Sequence, residues 1–449
     1  MHFKHLSAIV ALLISCSLAA QDSLVVKPKD NNFILDLNLM ARGEIRDGGF
    51  PTNPDDEKPT DMSAFVVGRA RLSLGYERKW LAAKVSLQYA GVWGSESSNA
   101  FNLYEAWAKL TSKQGLFMQF GRQVLSYDDE RVIGANDWAM AANFHDALRL
   151  GYAGHGHRLE IAGAYNQNSG NTNAGTTFFT TGIQPYKTMQ TLWYHYDLPS
   201  FPFGASFLFM NVGMQSGEKG KNEHVEWQQL AGAYIKLAGP DSHKIGWSIE
   251  GSYYHQFGKE EHGMPINAFM ASAKATIQPS PIYGFELGYD YLSGDDYVAV
   301  LHPGGLGLPR HEVIKGFKPV YGSHHKFYGA MEFFYVSAFV NDFSPGLQNA
   351  YARVIVNPIK GMNISATYHY MAVATDLKYG GEPLDKTLGH MAEIEASYRI
   401  IKEVKLSLGF TYMGGTDTME KLKRASTDGR LLWGWLSLVA TPQLVHVKW

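Results

Sequence analysis

The sequence predicts an all-β fold, a transmembrane antiparallel β-barrel of about eighteen strands with short turns at one rim and long loops at the other. Many segments alternate apolar and polar side chains, which is the period of a strand. Their polar faces keep charged groups deep inside the strands, where the core of a soluble β-sandwich or β-propeller, the competing fold, would reject them. The connections also alternate between short and long, as they do in outer-membrane barrels.

The first predicted strand shows the alternation in full. Leu35, Leu37 and Leu39 point to one side, and Asp36 and Asn38 point to the other. The length of the segment exceeds that of the usual soluble strand and suits a tilted strand that crosses a bilayer. The same pattern predicts strands at residues 33–46, 64–78, 80–93, 101–111, 115–123, 146–153, 157–167, 188–197, 203–213, 226–237, 243–257, 266–277, 281–291, 347–357, 361–374, 388–400, 403–413 and 430–449.

The largest predicted loop covers residues 293–346. Residues 326–337 within it also look strand-like, but one more strand would break the even count that single-chain bacterial barrels keep. The last predicted strand places Val445, Val447 and Trp449 on one face, as the closing strand of an assembled barrel does. Pro442 cannot donate to a strand ladder, so we expect a bulge or a strand start at that point.

Residues 1–20 are interpreted as a secretory signal peptide, because Lys4 precedes a short apolar run and small residues follow it. Cys16, the only cysteine, also fits a lipoprotein signal, so lipidation stays open. Residues 21–32 are assigned to a short periplasmic segment, and residues 33–449 to the barrel. Beyond residue 20, no apolar run is long enough for a transmembrane helix.

The composition excludes one class of protein and supports another. The formal net charge is −2 and no basic run occurs, so no nucleic-acid partner is expected. The 25 Tyr and 24 Phe suit aromatic girdles, and the 46 Gly suit tight turns. No nucleophile elbow or zinc-protease helix motif appears, so we expect neither enzyme activity nor a cofactor.

Two histidine motifs, His155-Gly156-His157 and His324-His325, could bind a metal ion. No carboxylate or cysteine stands near either motif at ligand spacing, so no metal site is predicted. The acidic runs at residues 128–130 and 295–296 are interpreted as solvated loop charge, and calcium binding there stays open.

The chain is organised around residues 121–152, where a loop rich in Arg, Asp, Asn and Trp separates two predicted strands. A compact protein rarely keeps so long a loop without a function, so we expect it to fold over or into the barrel. Its basic residues stand beside acidic ones, and mixed charge next to a pore can select the solutes that enter.

Several blocks of sequence resemble the alginate export family of outer-membrane porins. The blocks are Gly121-Arg122-Gln123, residues 127–134 (YDDERVIG), Asp137-Trp138, Asp146, Arg149, residues 325–329 (HKFYG) and residues 346–349 (GLQN). The resemblance implies an eighteen-stranded barrel that passes an anionic polysaccharide through an arginine-rich constriction. It also implies that Arg122, Arg131 and Arg149 are constriction residues.

Alternation and resemblance together give a set of residues predicted to line the pore or contact the solute. They are Arg69, Arg71, Trp107, Lys109, Arg122, Asp129, Arg131, Asp146, Arg149, Arg353 and Arg399. Trp107 is the candidate for stacking on a sugar. Arg122 needs a bulge at Gly121 to point inward, since Phe120 sets an outward register. Basic and acidic side chains that point inward are nearly equal in number. Most of the basic ones lie in the first six strands, and many of the acidic ones lie in strands eleven to sixteen. This distribution predicts an electric field across the pore and mild anion selectivity.

We therefore expect a bacterial outer-membrane channel for passive diffusion of hydrophilic solutes, anionic or saccharide in nature. The expected partners are these solutes, outer-membrane lipid and lipopolysaccharide, and the barrel assembly machinery. A receptor or adhesin barrel whose long loops bind a partner is the alternative, and a barrel hydrolase is a third class. The sequence leaves open the solute, the direction of transport, and the choice between monomer and trimer.

Overall fold

The computed structural model describes residues 30–47, 62–95, 100–180, 182, 184–239, 245–295, 312–331, 344–379, 381–423 and 431–449. The predicted signal peptide, with Cys16, lies outside the described residues, and so does the predicted periplasmic segment before residue 30.

Eighteen antiparallel strands in the described part of the chain form one closed barrel. They are β1 (Asn32–Asp47), β2 (Ser63–Arg78), β3 (Leu81–Val92), β4 (Ala100–Thr111), β5 (Leu116–Gln123), β6 (His145–Gly154), β7 (His157–Tyr165), β8 (Thr188–Asp197), β9 (Phe203–Ser216), β10 (His224–Ala238), β11 (Gly246–Lys259), β12 (Pro265–Gln278), β13 (Tyr283–Leu292), β14 (Leu347–Val356), β15 (Met362–Ala372), β16 (Thr387–Ile401), β17 (Val404–Gly415) and β18 (Leu431–Ala440, continued as Gln443–Lys448). Each predicted segment overlaps one of these strands, so the predicted fold class is confirmed.

The assignment of residues 293–346 to one loop agrees with the strand pairing. β13 pairs directly with β14, and Leu292 stands opposite Leu347. The strand-like segment at 326–337 is described as far as residue 331, and that described part contains no strand. The described part of this segment therefore adds no strand, and the strand count stays even.

The first and last strands close the barrel. β1 pairs with β2 on one side and with both halves of β18 on the other. The register shifts between Leu35 and Asp36, opposite the break at Thr441 and Pro442, and the Leu37 N–H donates to the Pro442 carbonyl at 3.0 Å. The proline thus lies at the predicted irregularity, where its missing N–H costs no ladder bond.

The outward face of the barrel is apolar on every side. Large side chains such as Leu72 on β2, Leu287 on β13 and Ile394 on β16 are exposed, and the residues between them point into the lumen. Apolar outward positions that alternate with polar inward ones define a transmembrane β-barrel, and the protein is a bacterial outer-membrane barrel. Among the described residues, the helices are too short to cross a membrane.

The two rims differ in the length of their connections. At one rim, two-residue turns join β2 to β3, β6 to β7, and β16 to β17. His155 and Gly156 both have positive φ, at 53° and 82°, which is the type I′ geometry that suits a two-residue hairpin. At the other rim lie the long loops, two of which contain the short helices α1 (Asn171–Ala174) and α2 (Asp417–Lys423).

The hydrophobic core lies inside the barrel, at the end of the long loops. Leu125 and Ile133 from the loop after β5 are fully buried there, together with Met371 of β15 and Met391 of β16. Gly329 comes so close to these methionines that a Cβ would stand 2.2 Å from the Met391 methyl carbon. The long loops therefore pack within the lumen like the interior of a soluble domain.

The lipid-facing assignment gives a first test. Leu287→Arg places a cation in the middle of β13 against lipid, and we expect a loss of about 2–4 kcal/mol of unfolding free energy. Thr276→Arg is the control, because Thr276 faces the lumen and donates to Glu286 at 3.3 Å. Reversible urea unfolding in phospholipid vesicles measures both variants. Equal stability losses would contradict the assignment of faces.

Candidate functional site

The loop between β5 and β6, residues 124–144, enters the barrel. Asp128 anchors it to the inner wall that β8, β9 and β11 form. Its carboxylate accepts hydrogen bonds from Trp193 Nε1 of β8 at 2.8 Å, from the Tyr254 hydroxyl of β11 at 2.6 Å, and from the Ser206 hydroxyl of β9. Asp128 has a φ of 56°, a conformation that Asp tolerates better than most residues. One carboxylate thus ties the loop to three strands.

The other end of the same loop is held by arginines of β1 and β2. Arg69 donates to the Asp137 carbonyl at 3.0 Å and to its carboxylate at 3.1 Å, and Arg71 reaches the same carboxylate at 3.2 Å. Arg42 donates to the Trp138 carbonyl at 3.1 Å and lies 3.8 Å from the centre of the Trp138 ring. The loop therefore spans the lumen between opposite walls.

A second loop, the described residues 312–331 of the 293–346 connection, joins the first loop inside the barrel. A parallel bridge pairs Ile133 with Tyr321, and the Tyr321 N–H donates to the Val132 carbonyl at 3.0 Å. The His325 ring stacks on Trp138 at 3.6 Å between centroids. We name the joined loops, residues 124–144 and 312–331, the paired loops.

Glu130 fastens the paired loops with its side chain. Its carboxylate accepts hydrogen bonds from the Ser126 and Ser323 hydroxyls, at 2.6 Å and 2.8 Å, and from the Lys326 ammonium. Burial raises the pKa of Glu130, but these donors outweigh it and the net effect lowers the pKa. The contact is therefore made by the ionised carboxylate.

Arg131 is the most deeply buried charge of the paired loops. It donates to Asp129 at 3.1 Å and to Asp290 of β13 at 2.9 Å, and its guanidinium lies 4.1 Å from the centre of the Phe327 ring. Burial opposes the charge, but the Asp290 carboxylate overcomes that effect and raises the pKa of Arg131 above its usual value. Arg131 and Asp129 therefore hold the loop to the wall rather than standing free in the passage.

The predicted residues of β4 and β6 share one stretch of the inner wall. Trp107 donates to the Glu105 carboxylate at 3.0 Å. The Lys109 ammonium lies 4.1 Å from the centre of the Phe117 ring. Arg149 donates to the Gln119 side-chain oxygen at 2.9 Å, and its guanidinium stands 3.4 Å from Glu160 Oε2. Trp107 and Arg149 therefore each lie beside an acidic side chain of this wall, Glu105 and Glu160.

The structure differs from the sequence interpretation at Arg122 and Asp146. The register of β5 runs without a shift through Gly121, so Arg122 shares the outward side of Phe120. Arg122 pairs with Asp146 through two hydrogen bonds of 2.8 Å on the outer surface. The bulge of this region lies at Tyr104 on β4, where Glu105 faces Ser86 and Leu103 faces Leu87.

The last two predicted residues lie apart from the paired loops. Arg353 on β14 donates to the Thr367 hydroxyl at 2.8 Å and stands 4.0 Å from Glu286. Arg399 on β16 lies at the short-turn rim and lines a cavity there.

Charges on the inner walls compensate each other locally, which weakens the predicted transverse field. Arg42 and Arg46 share Glu44, Lys84 pairs with Glu105, and on the opposite side Glu250 pairs with Lys236 and Lys274. A basic excess remains at Asp137, because Arg69 and Arg71 of β2 share its one carboxylate.

The predicted pore and solute residues do not include three of the residues that hold the site. Asp128, Trp138 and Asp290 each make their contacts with residues far away in the chain. For Asp290, the inward position on an alternating strand was the available signal. For Asp128 and Trp138 the signals were their place in the long loop and in the blocks that resemble the alginate export family.

The histidine motifs are used in packing. His157 Nδ1 lies 2.8 Å from the Tyr194 hydroxyl, His324 Nε2 lies 2.7 Å from the Pro319 carbonyl oxygen, and His325 stacks on Trp138. Within the part of the chain that the structure describes, no three or more His, Cys, Asp or Glu side chains cluster as metal ligands would.

Solved structures share the fold of this chain at low sequence identity. OccAB1 of Acinetobacter baumannii is 12% identical, with a TM-score of 0.59 over 93% of this chain and 97% of that one. OpdK of Pseudomonas aeruginosa, solved with vanillate, is 10% identical, with a TM-score of 0.62 over 92% and 99%. OccK2 (OpdF) of Pseudomonas aeruginosa, in complex with glucuronate, is 10% identical, with a TM-score of 0.60 over 92% and 98%. No protein-family model and no curated protein matches the chain. The fold is thus that of eighteen-stranded outer-membrane porins.

The anchor at Asp128 gives a second test. Asp128→Asn keeps the size of the side chain but weakens bonds to a charged acceptor, which contribute about 1.5–3 kcal/mol each. We expect single-channel currents in planar bilayers to fluctuate between levels as the loop leaves the wall. Asp146→Asn on the outer surface is the control and should leave the current steady. A steady current in both variants would show that Asp128 does not hold the loop.

Glu130 gives a third test, through pH. Its pKa is lowered in the folded state, so its contribution to loop pairing is complete above the ordinary value of 4.5 and is lost as the pH falls through the lowered value. We expect current noise in planar bilayers to rise on acidification below 4.5. Glu130→Gln should be noisy already at neutral pH and should respond less to acid. The same acid response in both proteins would contradict this role.

Proposed function

We propose that the protein is an outer-membrane channel through which small hydrophilic solutes bearing a carboxylate or sugar hydroxyls diffuse passively. It acts without catalysis and without a cofactor. The observation that carries the proposal is the pair of loops that cross the lumen and meet there, held by Asp128 at one wall and by Arg69 and Arg71 at the other. Loops fixed in this way narrow the lumen of a barrel.

A carboxylate-bearing solute fits the charge of the constriction. Arg69 and Arg71 share the single carboxylate of Asp137, so this contact carries one positive charge in excess. Arg69 is buried and little of Arg71 is exposed, and their donors bond to Asp137 and Gln88, so the excess charge attracts an anionic solute through its electric field. Arg71 also lies 3.6 Å from the centre of the Tyr104 ring, which fixes its plane.

Two of the structural neighbours were solved with small carboxylic acids, vanillate and glucuronate. Glucuronate is a uronate, the same class of sugar as the monomers of alginate. The resemblance to alginate export porins therefore supports extending the proposal from single uronates to short uronate chains. A test with both sizes of solute separates a monomer channel from a polymer channel.

The alternative function, a receptor or adhesin, would use the outer surface of the long loops. The paired loops point their contacts inward, onto each other and onto the strands, as the bonds of Asp128 and Glu130 show. This inward packing favours the channel. A barrel that binds a partner but passes no solute would favour the receptor.

The fourth test is the variant Arg69→Gln with Arg71→Gln, assayed by swelling of proteoliposomes in glucose, glucuronate and a uronate oligomer. We expect glucuronate entry to fall by about tenfold relative to glucose, the effect of about 1.4 kcal/mol of lost electrostatic attraction. Arg122→Gln, which removes an arginine from the outer surface, is the matched control. Passage of no solute by the wild type would refute the channel, and an unchanged ratio in the double variant would refute the role of the two arginines.

A further inference from the structure

A second basic site lies at the opposite end of the barrel, in the short turns. Beside the turn between β14 and β15 there is an open cavity of about 540 Å³. Lys360 of this turn, Arg399 of β16 and Lys405 of β17 line it, together with the polar side chains of Asn363 and Ser397. Short turns of outer-membrane barrels face the periplasm, so the cavity opens to that side.

The fold brings the three cations together at a cost. Arg399 and Lys405 are direct cross-strand partners that both point inward, and like charges in that position destabilise a sheet. The register shifts between Arg399 and Ile401, which marks a bulge beside the site. The Arg399 N–H donates to the Gly361 carbonyl at 2.8 Å, and this bond holds the turn that carries Lys360 against β16.

These cations differ from most other cations of the inner wall. Arg149, Arg353 and Lys274 each have a carboxylate within 4.0 Å, as do the inward arginines of β1 and β2, which are Arg42, Arg46, Arg69 and Arg71. Among the described residues, Arg399 and Lys405 form no such ion pair. Glu395 and Glu403 are the nearest carboxylates along the chain, and neither pairs with them. No carboxylate among the described residues therefore relieves the repulsion at this place.

We propose that this cavity binds a small organic anion with two or more carboxylates. Arg399 offers a fork of donors to one carboxylate, and Lys405 and Lys360 supply point charges for a second. The amide of Asn363 donates to Asn357 at 2.9 Å, which fixes its orientation and turns a polar group to the cavity. The bound anion relieves the repulsion between Arg399 and Lys405. The site is separate from the paired loops and does not depend on passage of any solute through them.

The fifth test is isothermal titration of the detergent-solubilised barrel with citrate at low ionic strength. We expect one citrate to bind the wild type, and the variant Arg399→Gln with Lys405→Gln to bind about tenfold more weakly or worse. Lys402→Gln is the matched control, because Lys402 lies in the neighbouring turn and does not line the cavity. Heat-modifiable migration on gels verifies that each variant is folded.

Three outcomes would overturn the proposal: no citrate binding by the wild type, equal affinity in the double variant, or displacement of citrate by an equal concentration of inorganic phosphate, which would assign the site to phosphate groups. Citrate binding that depends on Arg399 and Lys405 in a barrel that passes no solute would support this site while refuting the channel. The two proposals can therefore fail independently.

Discussion

The structure depends on one constraint, that lipid offers no partner for a backbone N–H or C=O. The sheet must therefore close, and β1 meets this need by pairing with β2 and with both halves of β18. The seam extends one residue beyond β1, because Asn31 and Trp449 exchange two backbone hydrogen bonds of 3.1 Å. Once closed, the barrel fixes which side chains face lipid and which face the lumen.

Closure leaves the interior with two kinds of environment. The end with long loops is filled by apolar packing around Leu125, Ile133 and the methionines of β15 and β16, so buried charges there, such as Arg131, are paired. The end with short turns is open and polar, and there Arg399 and Lys405 keep their charges in water. The same sheet thus supports a packed constriction and a solvated mouth.

Much of the fold could be predicted because strand alternation is a local signal. The eighteen strands, the single large loop and the irregularity at Pro442 all follow from the period of two, the even count and the missing N–H of proline. The inward arginines of β2 were found in the same way. The same alternation places Arg122 on the outer surface, where the structure has it. The resemblance to the alginate export family instead implies a place in the constriction.

The contacts that build the site could not be predicted in this way. Asp128 meets Tyr254, and Ile133 meets Tyr321, across more than a hundred residues of chain, and no local period encodes such pairs. The sharing of Asp137 by two arginines likewise depends on where a loop without regular structure comes to rest. Strand alternation predicts which charged side chains point into the lumen, but it does not predict which of them form ion pairs with each other.

The bridge between Ile133 and Tyr321 has a consequence for evolution. Backbone hydrogen bonds and the carboxylate of Glu130 join the two loops. A change of length or charge in one loop therefore changes the position of the other loop in the lumen. A related protein that changes its solute specificity through one loop must therefore also change the other loop. We expect the residues near positions 130 and 323 to covary among related sequences.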